Sequence, residues 1–179
     1  MTEDANGYKK VNITAIIGGE PNTAEYTVKN PLTFIYSTVT PWDWYATLAT
    51  NQDNTLWGER SDKSAYDPCP KGWRIPQDGT WDDFLINNFQ LYIQGVVNQD
   101  ISEVYYQTNG RLYNELTWYS TSGQISKSGL IGGIGFGGYV HTLSITNTGA
   151  YCLRFVLNAV TPNNFNYRIY GISVRCVQE

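Results

Sequence analysis

Few residues of this chain could carry out chemistry. Its 179 residues include one histidine, His141, and three cysteines, Cys69, Cys152 and Cys176. A single histidine leaves no second imidazole for a metal site or a proton relay, and the Gly-x-Ser-x-Gly motif of serine hydrolases is absent. Paired carboxylates for glycoside hydrolysis would both have to precede Leu116, and nothing indicates such a pair. The sequence therefore predicts no enzyme, no catalytic residue, no metal and no cofactor.

Two short motifs match known ligand-binding motifs, but neither lies in the sequence context that such a site requires. Glu20-Pro21-Asn22 matches the mannose-type calcium triplet of animal C-type lectins. It precedes the main domain, and with Gly18 and Gly19 it is interpreted as a hairpin turn. Residues 133–138 contain the glycine pattern of dinucleotide-binding sites, but the residues that follow are typical of a strand rather than the required helix.

Hydrophobic patterns predict short strands and one helix. The predicted strands are residues 10–17, 25–28, 30–36 and 151–157, and a last strand with Ile172, Val174 and Cys176 on one face. The helix is predicted after Thr80, or one turn earlier with Gln77 or Asp78 as its cap, and Trp81 is predicted to pack inward. Residues 42–45 and 57 include four aromatic rings, which are interpreted as core, with a sugar-stacking platform as the alternative.

Glycine, serine, threonine and tyrosine dominate residues 118–166. Seven glycines between positions 123 and 138 favour long, exposed, tightly turning loops. Residues 161–167 are predicted to form a further polar loop.

Charge is sparse and unevenly distributed. Charged residues make up 16% of the chain, below the usual quarter, which is typical of extracellular β-rich proteins. The net charge is −4, yet residues 116–178 contain four cations and no acid. Either a β-rich half needs few charges, or this half binds a weakly anionic ligand. The absence of a basic cluster argues against nucleic acid, and the absence of a long apolar run argues against direct membrane insertion.

A proline-rich stretch carries the family resemblance. Residues 66–76, which we call the proline clamp, read Tyr-Asp-Pro-Cys-Pro-Lys-Gly-Trp-Arg-Ile-Pro. Three prolines restrict their backbone, and Gly72 permits the one free turn. Together with Thr80-Trp81, Gly110, residues 149–151 and residues 168–177, the clamp resembles the Fibrobacter succinogenes major paralogous domain. That domain occurs at the C-terminal end of surface and fimbrillin-like proteins of Bacteroidetes.

The resemblance implies a fold and a domain organisation. It implies an α+β, C-type-lectin-like domain with long glycine-rich loops over residues 30–179. The family is similar to formylglycine-generating enzymes and to the variable proteins of diversity-generating retroelements. Residues 1–29 would be a short β segment or the remnant of a preceding domain. We expect an exported protein whose signal lies outside this sequence and which is attached to an upstream domain.

The resemblance also bears on the cysteines. It implies a disulfide between Cys69 and Cys176, as in lectin-like domains, which leaves Cys152 free. An oxidase of the formylglycine-generating branch would instead use Cys152 and Cys176 together. Pairing of an odd cysteine between chains is a further alternative.

The implied function is a non-enzymatic ligand-binding module on the cell surface. It would be an adhesin, similar to a pilus-tip protein, or a retroelement-diversified variable protein, and its partner a protein or glycan on another cell or molecule. A structural pilin-type assembly subunit is the main alternative. Adaptable polar and aromatic residues on C-terminal loops are typical of binding surfaces. The predicted ligand-binding residues are Trp118, Tyr119, His141, Leu143, Ile145, Asn147, Asn163, Phe165, Asn166 and Tyr167.

Overall fold

The computed structural model describes residues 2–3, 8–16, 20–59, 62–93, 96–97 and 109–179. The fold is mostly β, with 39% strand and 10% helical residues. Helix α1 is Glu20–Lys29, and short 3-10 helices occupy Ile13–Ala15 and Ala49–Asn51. The strands are β1 Thr2–Glu3, β2 Lys9–Asn12, β3 Thr33–Tyr36, β4 Gly58–Glu59, β5 Asp62–Lys63, β6 Trp73–Arg74, β7 Phe89–Ile93, β8 Val96–Val97, β9 Gly110–Tyr113, β10 Thr117–Ser120, β11 Gln124–Ile125, β12 Ile131–Gly132, β13 Gly137–Ile145, β14 Gly149–Val156, β15 Ala159–Tyr167 and β16 Val177–Gln178.

The described strands form three sheets of three or four strands each and, in addition, three separate two-stranded pairs. Strands β13, β14 and β15 form an antiparallel meander, and a second antiparallel sheet has the order β10-β9-β7-β8. The third sheet has the order β1-β2-β3, with β2 and β3 parallel. The pairs are β11 with β12, β16 with β6 and β4 with β5.

The predicted α+β, C-type-lectin-like fold is wrong, because the described part of the chain is a set of small, mainly antiparallel sheets with a single α-helix. The helix expected after Thr80 is replaced by successive turns, in which Thr80 N donates to Gln77 O and Phe84 N donates to Trp81 O. Gly79 has a φ of +81°, a left-handed conformation that an α-helix does not contain. Trp81 and Phe84 are nevertheless buried, so the inward packing of Trp81 is confirmed.

The prediction of tightly turning loops over residues 118–166 is confirmed in part for residues 121–136, where four glycines adopt positive φ, and is wrong for most of residues 137–166, which form the meander. Its glycines make room for aromatic rings instead of forming turns. A Cβ added at Gly138 would lie 1.9 Å from Cζ of Phe155, its partner across the sheet. A Cβ added at Gly149 would lie 2.3 Å from the carbonyl oxygen of Asn166. Glycine within a strand thus permits a close approach of neighbouring groups. Residues 161–167 form the end of β15 rather than a polar loop.

Burial on both faces distinguishes β14 from the predicted half-buried strand. A strand over residues 151–157 is confirmed in position, since β14 ends at Val156. However, Cys152, Leu153 and Phe155 are all fully buried, although consecutive side chains of a strand point to opposite faces. One face packs into the main core, which consists of Trp81, Phe84, Phe89, Tyr119, Val140, Leu153 and Phe155. On the other face, Cys152 lies opposite His141, whose ring contacts Trp57.

Near the N-terminus one predicted strand is confirmed in part and another is wrong. Strand β2 and the following 3-10 helix replace the strand predicted over residues 10–17, and Ile17, Gly18 and Gly19 lie outside the described residues. Residues 25–28 belong to α1, which also contains the predicted turn residues 20–22. Pro21 fits this position, because the first turn of a helix needs no donor from its backbone nitrogen. Strand β3 confirms the strand predicted over residues 30–36.

The predicted domain boundary at residue 30 falls between α1 and β3. Strand β2, before the boundary, pairs with β3, after it, and Val11 lies opposite Ile35. Both side chains belong to a second buried cluster together with Ile13 and Ile16. The segment before residue 30 therefore packs on the segment after it, and its origin as a separate domain stays a prediction.

A disulfide bond joins the proline clamp to the C-terminal part of the chain. Cys69 and Cys176 form a disulfide with their Cα atoms 5.7 Å apart, as the sequence analysis expected. Asp67 organises the clamp from inside, since its carboxylate accepts hydrogen bonds from Cys69 N at 2.7 Å and Ile75 N at 3.2 Å. The last strand predicted over residues 172–176 is wrong, because the short strand β16 begins only at Val177, where it pairs with β6. Residues 172–176 run beside the core mostly without regular structure.

Candidate functional site

A cavity of about 380 Å³, which we call the aromatic cleft, opens beside the meander. Four parts of the chain line it: residues 43–57, Pro68 of the proline clamp, strands β13 and β14, and residues 168–174. A volume of this size is within the range of small-molecule sites, which is about 300–1,000 Å³. The cleft is therefore large enough to hold a ligand.

Aromatic rings form much of the cleft wall. Trp44 is 42% exposed at its edge, and the Trp44 and Tyr45 ring centroids are 5.7 Å apart. Deeper inside, Trp57 meets the His141 ring edge to face, at 5.4 Å between centroids. Tyr170 contributes a further ring. Large aromatic surfaces of this kind favour a ligand with an apolar face.

Asp43 is buried in the wall and shapes the segment that carries Trp44. Its Oδ1 accepts hydrogen bonds from Tyr45 N at 2.8 Å and Ala46 N at 3.1 Å. Its Oδ2 accepts from Gln52 Nε2 at 3.0 Å and lies 3.8 Å from Arg168 Nη1. Both carboxylate oxygens are thus occupied by protein donors, and Asp43 acts as a structural support of the cleft.

Arg168 connects the wall formed by residues 168–174 to the wall formed by residues 43–57. Its guanidinium donates to Thr146 O at 2.7 Å, to Asp53 O at 3.3 Å and to Asn54 Oδ1. Burial lowers the pKa of Arg168 from its usual value, while the charges of Asp43 and Asp53 oppose that shift. The ion pair with Asp43 therefore offsets part of the cost of burying this charge.

His141 lies in the wall as an uncharged ring. It is 8% exposed, and burial lowers its pKa to about 4. Its backbone nitrogen donates to Ser173 O at 3.0 Å, which connects β13 to the irregular C-terminal segment. Its Nδ1 is buried and has no hydrogen-bond partner within the described residues. At neutral pH the cleft is thus lined by a neutral imidazole rather than an imidazolium.

The ten predicted ligand-binding residues do not form one surface. His141 and Ile145 line the aromatic cleft, and Ile145 and Leu143 also border an open groove next to it. Asn147 is exposed in the turn between β13 and β14.

Trp118 and Tyr119 lie on β10, in a different sheet from the other eight residues. Tyr119 is 6% exposed within the main core, where burial raises its pKa to about 12. Trp118 is partly exposed, and its ring packs against Tyr92. Arg175 donates to Trp118 O at 2.7 Å and lies over the Tyr119 ring. These contacts are structural, and a ligand contact at either residue stays a prediction.

The remaining four residues lie on β15 and point to different surroundings. Phe165 and Tyr167 share an exposed aromatic face, where Lys127 Nζ lies 4.9 Å from the Tyr167 ring. Asn166 points inward and donates to Cys152 Sγ at 3.1 Å. Asn163 donates to Asp82 Oδ1 at 3.2 Å.

The structure does not bring together the cysteine pair of the oxidase alternative. Cys176 is bonded to Cys69, and Cys152 is a free, buried thiol. Burial raises the pKa of Cys152, against hydrogen bonds from Asn166 and Asn164 that lower it. A buried thiol with a raised pKa is a poor nucleophile.

Sequence reasoning missed most of the cleft. Asp43, Trp44, Trp57 and Arg168 were not among the predicted ligand-binding residues. The cluster of aromatic residues at 42–45 was a usable signal, but it was interpreted as core. The exposure of Trp44 corrects that interpretation for this residue.

Comparison with protein-family models, with curated proteins and with solved structures found no match to this chain. The resemblance to the Fibrobacter succinogenes major paralogous domain therefore stays a prediction. Within the described ranges there is no group of three or more histidine, cysteine, aspartate or glutamate residues that could hold a metal ion. None of the helices in those ranges has the length and apolar character required to cross a membrane.

Proposed function

We propose that this chain is a non-enzymatic ligand-binding module displayed on the cell surface, and that the aromatic cleft is its binding site. The observation that carries the proposal is a preformed cavity whose wall combines Trp44, Trp57 and Tyr170 with an uncharged His141. Pockets with mainly apolar walls and few polar groups are typical of ligand sites.

The walls of the cleft are held in place before any ligand binds. Asp43 fixes residues 44–46 through two backbone hydrogen bonds, and Arg168 ties the C-terminal wall to residues 53–54. The disulfide at Cys176 anchors the same wall from its other end. A preorganised site loses little conformational entropy on binding, which favours affinity.

Two properties favour display outside the cell. A disulfide is typical of a non-reducing compartment. The low content of charged residues, 16%, is typical of proteins that rely on uncharged polar groups for solubility. Neither property identifies the partner, which we propose is a protein or glycan on another cell or molecule.

A comparison of two tryptophan variants tests the site. The purified chain is screened against arrays of glycans and of purified surface proteins, together with Trp44→Ala and Trp73→Ala. Trp44 and Trp73 are similarly exposed, at 42% and 44%, but only Trp44 lines the cleft. We expect Trp44→Ala to lose binding that Trp73→Ala retains.

Equal binding by the two variants would place the ligand elsewhere and refute the aromatic cleft as the site. Self-association of the chain in place of ligand binding would favour the pilin-type assembly subunit.

A further inference from the structure

We propose that the aromatic cleft binds an uncharged aromatic ring rather than a saccharide or an ion. This inference rests on the proposed binding function and names the chemical class of its ligand. The inference is based on two sets of side chains in the cleft wall: those whose surface can contact a ligand, and those whose polar groups already form hydrogen bonds within the protein.

The free surface of the cleft is apolar. Trp44, Tyr45, Trp57 and Tyr170 supply rings, and Ile172 and Val174 supply aliphatic contacts. Aromatic rings prefer edge-to-face or offset arrangements with other rings, and the contact between Trp57 and His141 already has that geometry. An apolar cavity of about 150 Å³ is enough to hold benzene, so about 380 Å³ accommodates a bicyclic ring.

The charged groups of the wall are largely committed to the protein, although two buried nitrogens, His141 Nδ1 and Arg168 Nε, have no hydrogen-bond partner within the described residues. Asp43 accepts three hydrogen bonds and an ion pair, and Arg168 donates to three oxygens of neighbouring residues. A saccharide bound in the cleft would bury several hydroxyl groups, and the buried nitrogens still without a partner, His141 Nδ1 and Arg168 Nε, are too few to pair with most of them. A ring without hydroxyl groups has no such requirement.

The charges of the cleft also favour a neutral ligand. Asp43 and Arg168 neutralise each other, and His141 is uncharged at neutral pH. Asp53 is the remaining charge in the wall, and its carboxylate accepts hydrogen bonds from Thr55 N and Thr55 Oγ1, both at 2.7 Å. An anion would meet the charge of Asp53, and a cation would gain only this one exposed carboxylate, which water already solvates.

The single histidine gives a direct readout of binding. His141 is the one histidine in the chain, so its ring-proton resonances need no assignment by mutagenesis. The chain is titrated at pH 7 with indole and with four probes of similar size: benzyl alcohol, cyclohexylmethanol, benzoate and methyl α-glucopyranoside. We expect indole and benzyl alcohol to move the His141 resonances saturably. Cyclohexylmethanol should bind about two- to tenfold more weakly, since it lacks the ring interaction.

Three variants locate the binding. Val174→Trp fills the cleft from its rim, where Val174 is 39% exposed, and should abolish saturable binding of indole. Trp44→Ala should weaken it, and Trp73→Ala should leave it unchanged. Near-ultraviolet circular dichroism checks that each variant is folded. If Val174→Trp is misfolded, the comparison of Trp44→Ala with Trp73→Ala still decides the question.

Blocked peptides distinguish the source of the ring. If Gly-Trp-Gly binds and Gly-Leu-Gly does not, the ring is one that a protein partner can present. If free indole binds and both peptides fail, the ligand is a free small molecule. Both results support an aromatic ligand.

Other outcomes overturn the inference. Saturable binding of methyl α-glucopyranoside without binding of indole would overturn the aromatic class while supporting the proposed binding function. Tighter binding of benzoate than of benzyl alcohol would overturn the requirement for an uncharged ring. If no probe binds, the aromatic class is refuted, and the array experiment then decides the proposed function separately.

Discussion

Acidification should destabilise this protein through His141, well above the pH at which most carboxylates titrate. The usual pKa of histidine is 6.5, and burial lowers that of His141 to about 4. Between these values the unfolded chain takes up a proton that the folded chain does not bind, so the free energy of unfolding falls as the pH falls. The contribution of the buried neutral ring is complete above pH 6.5 and is lost as the pH decreases toward 4.

The magnitude follows from the two pKa values. At pH 5 the unfolded histidine is almost fully protonated and the folded one is almost fully neutral. The pH is then 6.5 − 5 = 1.5 units below the unfolded value. Each unit corresponds to about 1.4 kcal/mol, so the free energy of unfolding should fall by about 2 kcal/mol between pH 7.5 and 5. For a chain of this length that lowers Tm by about 4–8 °C.

Urea unfolding of the wild type and of His141→Phe at pH 7.5, 6.5, 5.5 and 5 measures the effect. Phenylalanine keeps a ring beside Trp57 but cannot bind a proton, so the variant reports the pH dependence of every other group. We expect the wild type to lose about 2 kcal/mol more than the variant over this range. Identical pH profiles, or a His141 resonance that titrates near pH 6.5 in the folded protein, would refute the reasoning.

Three further predictions concern stability. Replacing Cys69 and Cys176 with serine should lower the free energy of unfolding by about 4–5 kcal/mol in chemical denaturation, because the disulfide spans 107 residues. Denatured, unreduced wild type should contain one free thiol on titration, and three would contradict the bridge. Gly138→Ala should cost about 1–3 kcal/mol or more through overpacking, whereas Gly132→Ala, with nothing within 4 Å of an added Cβ, is its control and should cost less than about 1 kcal/mol. Arg111→Met should cost about 3 kcal/mol, since the guanidinium donates to three backbone oxygens, and a stability equal to wild type would argue against that role.

Local chemistry made the proline clamp the most predictable part of the fold. Prolines restrict their own backbone and that of the preceding residue regardless of what surrounds them, and the cysteine pairing came from the resemblance. Cys69 and Cys176 are in fact joined. The same reasoning correctly expected strands over residues 139–145 and near residues 151–157.

Glycine caused the main error, because its role depends on tertiary contacts. In the sequence, Gly138 and Gly149 are typical of turns. In the structure they lie within strands, where an aromatic ring or a carbonyl oxygen occupies the space of the missing side chain. Nothing in the local sequence shows which ring will pack there, so loops were predicted where the meander forms.

The cleft was equally difficult to predict, because its parts are distant in sequence. Asp43 and Arg168 are 125 positions apart, yet the carboxylate of one meets the guanidinium of the other. Trp57 and His141 come from separate segments as well. Aromatic residues at 42–45 indicated either core or a platform, and only the folded arrangement shows that Trp44 lies at an accessible edge.

The disulfide at Cys176 restrains one wall of the aromatic cleft. Residues 168–174 form one wall, lie just before this cysteine and contain little regular structure of their own. While both sulfurs are still thiols, that wall is held only by noncovalent contacts, which include its hydrogen bonds, the Arg168–Asp43 ion pair and the burial of Ile169. The disulfide adds one covalent restraint at the end of this wall, so we expect the shape of the cleft to depend on the redox state of two sulfurs that lie outside its lining.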